Sequence, residues 1–344
     1  MNFNATRLDT FEKCNRLYFW KNVFDFGGEA RGMQPHYQAE PLKFGEVVHL
    51  GLAAYYRGVR GAALLKQYRE EALLALDFDS LSWEQKNLWL DNLDWIDRIL
   101  TQYELWAAKN DDFKVLAVEV EGSIALSDAH HLVFRQDLIV EQNDVVKVID
   151  HKTAKSVSAP YLQSWHYSPQ MWGYSLGAQI MGRDVRGYGI NIIRKLVSAG
   201  EPEQTTKICP DCRNGARKKP ECLTCKTTGR VEKTNNPSAT LFQREWASWT
   251  PAKAQKIVEM RLRTIEDIER EAARFESDPR GAYPMKPSQC FSFGICPFVR
   301  VCWDWGLKKT EKWYEPPIEL LESFDPQPLS YVESIQTLVK EEAK

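Results

Sequence analysis

Two stretches constrain this chain more than any other part of it: FRQDLIV, Phe134 to Val140, and VVKVIDHKTA, Val145 to Ala154. Both are rich in β-branched residues and both alternate as strands do. The four residues between them, Glu141-Gln142-Asn143-Asp144, are turn formers, so the strands are expected to pair as an antiparallel hairpin. Alternation then places Val146, Val148, Asp150 and Lys152 on one face of the second strand, with Asp137 on its neighbour. Two converging carboxylates can hold a hard divalent cation. An ammonium beside them can orient a water or steady an oxyanion. The combination suits metal-assisted phosphodiester hydrolysis.

A D-x-K tripeptide alone means little, because acids and lysines often share a solvated strand face. Here further elements stand in order around it. Ala5 to Cys14, followed by Arg16-Leu17-Tyr18-Phe19, reads as an opening helix carrying a cysteine. Gly45-Glu46-Val47-Val48-His49 is a G-x-x-x-H helix; Phe134-Arg135-Gln136-Asp137 ends in an acid; Asp150-His151-Lys152 is the D-x-K; Gln170-Met171-Trp172-Gly173-Tyr174 is Q-x-x-x-Y. Gln170 and Tyr174, four apart, share one helix face. In this order, from Ala5 to about Trp305, the motifs resemble the PD-(D/E)XK nucleases, and in particular their RecB-like branch. One departure is plain, since Phe134 stands where the family pattern G-x-x-D has glycine.

The resemblance implies an α/β fold with a restriction-endonuclease-like core, a mixed central sheet with flanking helices in β-β-β-α-β order. It implies that His49, Asp137, Asp150 and the backbone carbonyl of His151 bind Mg²⁺ or Mn²⁺. Lys152 would position the attacking water, and Gln170 and Tyr174 would orient the strand or support the site. Glu119 and Glu121, on the preceding strand, are given a supporting role one contact removed from the ion. Trp165, Tyr167 and Trp172 lie near enough in sequence to stack on unpaired bases.

The eight cysteines fall into two groups of four. Cys209-x-x-Cys212 and Cys222-x-x-Cys225 are paired knuckles in a polar, basic loop, an arrangement that offers four thiolates to one tetrahedral zinc. So few apolar residues lie there that a metal would be needed to fold the loop. The others are Cys14, near the start, and Cys290, Cys296 and Cys302, near the end. Four thiolates suit an iron–sulfur cluster and also suit zinc. The placement resembles the [4Fe–4S] staple of CRISPR-associated RecB-like and AddB-type nucleases. Those usually have C-x-x-C before the last interval, whereas five residues fill both intervals here.

Composition bounds the remaining possibilities. With 344 residues, 43% hydrophobic and 12% aromatic, the chain can bury a large core. No apolar run approaches the roughly 20 residues of a membrane span and the N-terminus lacks a signal-peptide pattern, so a soluble, intracellular protein (cytoplasm or nucleoid) is expected. The net charge of −2 exerts no global pull on a polyanion, so DNA binding must rest on local patches. The basic run from Arg194 to Lys233 is the best candidate, set against its reading as a solvated loop. No G-x-x-x-x-G-K-[S/T] loop is present, so any ATP-driven motor would be a separate subunit.

The expected organisation is a helical region at 1–110 and a nuclease core at 111–315 with the knuckle insertion at 205–233. A tail at 316–344 ends in a short amphipathic helix, Tyr331 to Glu342. Helices are expected at Ala5–Val23, Lys43–Tyr56, Ala62–Leu76, Ser82–Lys109, Leu162–Met181 and Pro251–Phe275. Strands are expected at Lys114–Leu126, His131–Glu141, Val145–Thr153, Val185–Arg194 and Ala239–Trp246. The functional expectation is a divalent-metal-dependent DNA exonuclease acting on single-stranded or frayed ends in repair or recombination. The alternatives are a structure-specific endonuclease, or a nuclease subunit or DNA-binding module of a recombination or spacer-acquisition complex. The site assignment predicts that Asp150→Ala and Lys152→Ala each abolish metal-dependent cleavage; full activity in either variant would overturn it.

Overall fold

The computed structural model describes residues 1–25, 31–35, 40–195, 206–208, 230–232, 241–292, 294–305 and 312–326. A short strand β1 (Asn2–Phe3) leads into α1 (Ala5–Lys13), which Asn4 caps by accepting from the Arg7 amide, and then into α2 (Asn15–Asn22). One continuous helix was expected here. The chain breaks at Cys14, whose backbone is extended (φ −160°, ψ 114°), and the break turns the thiol into the interior. Strand β2 (Met33–Pro35) precedes α3 (Glu40–Tyr56), α4 (Gly61–Ala75) and the long α5 (Trp83–Asn110). Helix α5 starts in a capping box. Ser82 accepts from the Gln85 amide while the Gln85 side chain accepts from the Ser82 amide.

The core motif follows: β3 (Lys114–Ala125), β4 (His131–Gln142), β5 (Val145–Ala154), α6 (Ala159–Trp165), α7 (Pro169–Ile180) and β6 (Val185–Arg194). The single helix expected over Leu162–Met181 is two. Pro169 cannot donate an amide hydrogen bond, so a new helix begins there, with Ser168 as its cap accepting from Met171. Strands β7 (Thr206–Ile208) and β8 (Arg230–Glu232) pair antiparallel at the base of the cysteine-knuckle segment. Next come β9 (Phe242–Ser248), α8 (Pro251–Ser277), the short α9 (Ile318–Leu321) and β10 (Phe324–Pro326), which pairs with β2. The expected tail helix and the cysteines between Cys209 and Cys225 lie outside the described residues.

The result is a mixed α/β fold. The main sheet runs β3-β4-β5-β6-β9, with β1 joining the N-terminal end of β4. Only β5–β6 and β1–β4 are parallel. The β4–β5 hairpin turns through Asn143 and Asp144, both left-handed (φ 52° and 60°), as the tight primed turn between twisted strands requires. Helices α3, α4 and α5 cover one face, packing Phe44, Val48, Leu52 and Tyr68 with Leu138, Ile149 and Ile193. Helices α7 and α8 cover the other, where Met171, Trp172 and Ile257 meet Val148, Ile190 and Ile192. A third cluster joins α1 and α2 to the C-terminal segment through Phe19, Trp20, Phe298, Val301 and Trp313. Among the described residues, no helix is long and apolar enough to cross a membrane.

The fold also shows how the chain carries Phe134. Its ring fills the space over two glycines: a Cβ on Gly177 of α7 would come within 2.3 Å of the Phe134 Cζ atom, and one on Gly122 of β3 within 2.6 Å. The missing glycine of the motif is thus compensated by one on a helix and one on a neighbouring strand. Gly177→Ala should therefore destabilise the protein by about 1–3 kcal/mol through overpacking. Denaturant unfolding measures this directly, and Phe134→Leu in the same background should recover part of the loss.

Candidate functional site

The hydrogen-bonded ladder between β4 and β5 runs from Gln142↔Val145 to Leu138↔Ile149 and stops. The next pair in register would be Asp137 and Asp150. There the strands part, and the Asp137 carboxylate takes over a ladder partner's role, accepting from the His151 amide at 2.7 Å. Asp137 is 7% exposed and Asp150 2%. On the other edge β5 continues in parallel register with β6, Asp150↔Ile190 and His151↔Asn191.

Helix α3 delivers His49 to the same place, its Nδ1 3.4 Å from the Asp137 carboxylate. The approach is close because Gly45, one turn earlier, lies against Thr153 of β5; a Cβ there would be 3.2 Å from the Thr153 hydroxyl. Strand β3 delivers Glu119, which sits between Val118 and Val120, the partners of Leu138 and Gln136, and so lies opposite Asp137. Its backbone is left-handed (φ 54°), a conformation costing a non-glycine residue about 1 kcal/mol or more. Arg135 pairs with its carboxylate at 3.1 Å. His49, Glu119 and Asp137 each bring a ligand atom within 4.8 Å of the others, a donor set of one imidazole and two carboxylates that fits a hard divalent ion. Sequence reasoning ranked Glu119 below the other acids. The left-handed backbone at Glu119 occurs where the register of β3 on β4 is the same on either side, and no residue type announces it.

Asp150 lies against Lys152 Nζ at 2.5 Å. Burial pushes the Asp150 carboxyl up to about 6, reinforced by Asp137 and opposed by Lys152. Burial acts the same way on Asp137, but the charge and hydrogen bond of His49, with Lys152, prevail and hold it well below the usual carboxylate range. His49 is pulled down by burial and lifted further by Asp137, so the net shift is upward. Lys152 is likewise raised, its desolvation outweighed by Asp150 and Asp137. Glu119 is raised by burial and by Asp137. These opposed shifts in one cluster are what a cation would relieve, because it supplies the positive charge that the two buried acids compete for.

Gln170 and Tyr174 come together on α7, the amide donating to the phenol at 2.9 Å, and Gln136 donates to the Tyr174 carbonyl. Tyr174 lies near enough to Asp150 for that charge to add to the upward shift of its phenol, most of which comes from burial. Lys152 Nζ stands 5.6 Å from the Trp165 ring, and Tyr167 is 66% exposed nearby in sequence. Trp172 is no stacking platform: it is buried, and its indole N–H is spent on Tyr188 at 3.0 Å. Glu121 is exposed, paired in register with Arg135 on β4.

Cys14, Cys290 and Cys302 are buried and Cys296 half-buried, all as free thiols. The Trp20 indole donates to Cys302 Sγ at 3.3 Å, and the Lys286 amide to Cys14 Sγ at 3.4 Å. Helices α1 and α2 therefore meet the segment 286–302 at these thiols. Burial pushes the Cys302 thiol up to about 12. Beside it the Arg16 guanidinium, 7% exposed, donates to the Tyr283 carbonyl at 2.8 Å and lies over the Trp313 ring at 3.4 Å. Burial pulls Arg16 down to about 10, and the groups that oppose this are Cys302 and Cys14. Among the described residues it pairs with no carboxylate.

As ligands, Asp150 and His49 would both have to lose a proton, and both are shifted upward, so Mn²⁺ affinity should rise with pH through about 6 and beyond and fall more than tenfold per pH unit below it. Calorimetric titration at several pH values checks this, and Asp150→Asn should make the profile shallower below pH 6, leaving the dependence that His49 imposes. Glu119→Gln should weaken Mn²⁺ binding about tenfold or more; wild-type affinity in that variant would remove Glu119 from the ligand set.

Comparison with known proteins agrees with this geometry. The family model described as PD-(D/E)XK nuclease superfamily matches residues 2–303. Comparison with curated proteins gives no match.

Proposed function

The chain belongs to the PD-(D/E)XK nuclease superfamily, and on that premise we propose that it is a divalent-metal-dependent DNA exonuclease acting on single-stranded or frayed ends. The observation that carries this reading is the parting of β4 and β5 at Asp137 and Asp150, with His49, Glu119 and Lys152 converging on the gap. His49, Asp137, Asp150, the His151 carbonyl and Glu119 would hold Mg²⁺ or Mn²⁺. When bound, the ion polarises the scissile phosphate and lowers the pKa of water.

The side chains divide the remaining work. Lys152, kept charged by Asp150 and Asp137, orients the attacking water and faces the charge that develops on the phosphate. Asp137, ionised through His49 and anchored to the His151 amide, supplies a carboxylate of fixed charge for the cation. Gln170 and Tyr174, locked to each other, line the α7 side. Trp165 beside Lys152 and the exposed Tyr167 support unpaired DNA as the substrate, since each aromatic offers a stacking face to an unstacked base.

The same proposal includes a [4Fe–4S] cluster on Cys14, Cys290, Cys296 and Cys302. What supports it is the charge balance: a buried guanidinium needs an anion, and the groups around Arg16 that can supply one are thiols normally neutral when buried. A bound metal centre makes those thiols thiolates, and two N–H groups already aim at their sulfurs. The role is structural, tying the ends of the chain together. A zinc ion on Cys209, Cys212, Cys222 and Cys225 rests on their spacing.

End-labelled single-stranded, duplex and circular DNA with Mn²⁺, with Asp150→Ala as control, tests the activity. Degradation from one end that the variant loses supports the exonuclease and reveals its polarity; cutting of closed circles would make it an endonuclease. Anaerobic purification should give a brown protein absorbing near 400 nm with iron and sulfide bound. A colourless, iron-free protein would overturn the cluster.

A further inference from the structure

His151 stands between Asp150 and Lys152, yet its side chain faces away from them; the His49 ring meets it edge-on at 5.8 Å, and on its other side the polar groups form one connected chain. In register, His151 of β5, Asn191 of β6 and Arg244 of β9 lie side by side across three strands. His151 and Asn191 are buried at 2% and 0% exposure. Tyr56 from α3 stacks on the imidazole, with ring centroids 5.6 Å apart and planes within 8° of parallel. The hydrogen bonds run from His151 Nδ1 to Asn191 Nδ2 at 3.0 Å and from Asn191 Nδ2 to the Tyr103 hydroxyl at 2.7 Å. They continue from Tyr103 to the Tyr56 hydroxyl at 2.6 Å and from Tyr56 to the Asp111 carboxylate at 3.1 Å. Arg244 closes the chain on Asp111 at 2.8 Å.

The direction of every bond follows from the last one. A carboxylate paired with a guanidinium can only accept, so Tyr56 spends its single hydroxyl proton on Asp111. Tyr56 must then accept from Tyr103, which has no further proton and must accept from Asn191. The Asn191 group facing Tyr103 is therefore its NH₂, and the second hydrogen of that NH₂ points at His151 Nδ1. The reversed amide would set lone pair against lone pair. The orientation leaves Asn191 Oδ1 without a partner among the described residues, a cost the fold accepts. His151 Nδ1 is thus an acceptor, and the ring is neutral with its proton on Nε2.

We propose that Asn191, Tyr103, Tyr56 and the Asp111–Arg244 pair form a one-way hydrogen-bond lock that holds His151 as the Nε2-protonated tautomer. The lock fixes the backbone whose amide anchors Asp137 and whose carbonyl would help to hold the cation. These are positioning residues: none of them touches the substrate or the ion. A ring clamped by Tyr56 on its face and Asn191 at its edge cannot rotate, and with it the peptide planes on either side of His151 are held. The inference deepens the metal-site reading above and, for its consequence on metal binding, rests on that reading.

Long-range proton–nitrogen correlation NMR of ¹⁵N-histidine-labelled protein reads the tautomer without metal or DNA, so it tests the lock separately from the nuclease reading. The His151 signals are identified by their loss in His151→Gln. An unprotonated Nδ1 and a protonated Nε2 are expected; a protonated Nδ1 overturns the proposal. Asp111→Asn replaces the terminal acceptor by an amide that can donate, which removes the directionality while preserving shape. Tyr103→Phe deletes one link. Each variant should lose the single-tautomer signature and bind Mn²⁺ about 10-fold to 100-fold more weakly. Asp111→Glu, which restores an acceptor, should recover most of the affinity. If Asp111→Asn and Tyr103→Phe fold and keep both the wild-type His151 spectrum and wild-type Mn²⁺ affinity, no lock exists. Wild-type protein that shows the expected tautomer but no Mn²⁺ binding would instead count against the metal site.

Discussion

The hydrogen bond from the His151 amide to the Asp137 carboxylate is the contact on which the site depends. Had the antiparallel ladder continued one pair further, Asp137 and Asp150 would have been direct cross-strand neighbours, a repulsive arrangement with no room for an ion. By leaving the ladder there, the two strands open a gap at the point where both acids are still buried. A backbone N–H bonded to a carboxylate contributes about 1.5–3 kcal/mol, enough to offset the ladder bond given up. The acid is thereby both a ligand and the brace that keeps the gap open. Glu119, bent inward at the facing point of β3, and His49, brought close by Gly45, complete the enclosure from two further directions.

Two buried arginines show how the rest of the chain is arranged around this core. Arg261 of α8, fully buried, reaches Asp9 at 2.8 Å and Glu12 at 3.2 Å on α1, which ties α8 to α1. Arg16 lies close by in the chain but meets thiols where Arg261 meets carboxylates. The difference is chemically informative. A buried cation with carboxylate partners is already balanced, whereas one among thiols is balanced only if those thiols are ionised. The proposed cluster and the Arg261 bridges would then hold the same two ends together by independent means, and loss of one would not by itself release them.

The sheet's two faces serve different purposes. The α7 side carries Lys152, Gln170 and Tyr174, groups that would meet a phosphate or orient it. The α3–α5 side carries the buried chain from His151 to Arg244, which touches the metal-site residues only where His151 meets the His49 ring edge-on. Burying so many polar groups is costly unless each is satisfied. Their presence directly behind the D-x-K strand is intelligible as support for a strand whose backbone atoms, as well as its side chains, take part in the site.

Much of this was legible in the chain. The β3-β4-β5 order, the turn at Asn143-Asp144, the capping box at Ser82 and the D-x-K face are local consequences of alternation, turn chemistry and helix-end chemistry, all carried by neighbouring residues. Local rules were also sufficient to start a new helix at Pro169, although the apolar run across it read as continuous. What only the tertiary structure decided are matters of register and approach. Glu119 became a candidate ligand because the pairing of β3 on β4 sets it opposite Asp137 and beside His49; Phe134 was accommodated because glycines on two other elements face it; His151, Asn191 and Arg244 aligned because three strands happen to pair in that register. A sequence states which groups are available and what each segment prefers. Which groups meet across segments depends on packing among residues far apart in the chain, and no single segment contains that information.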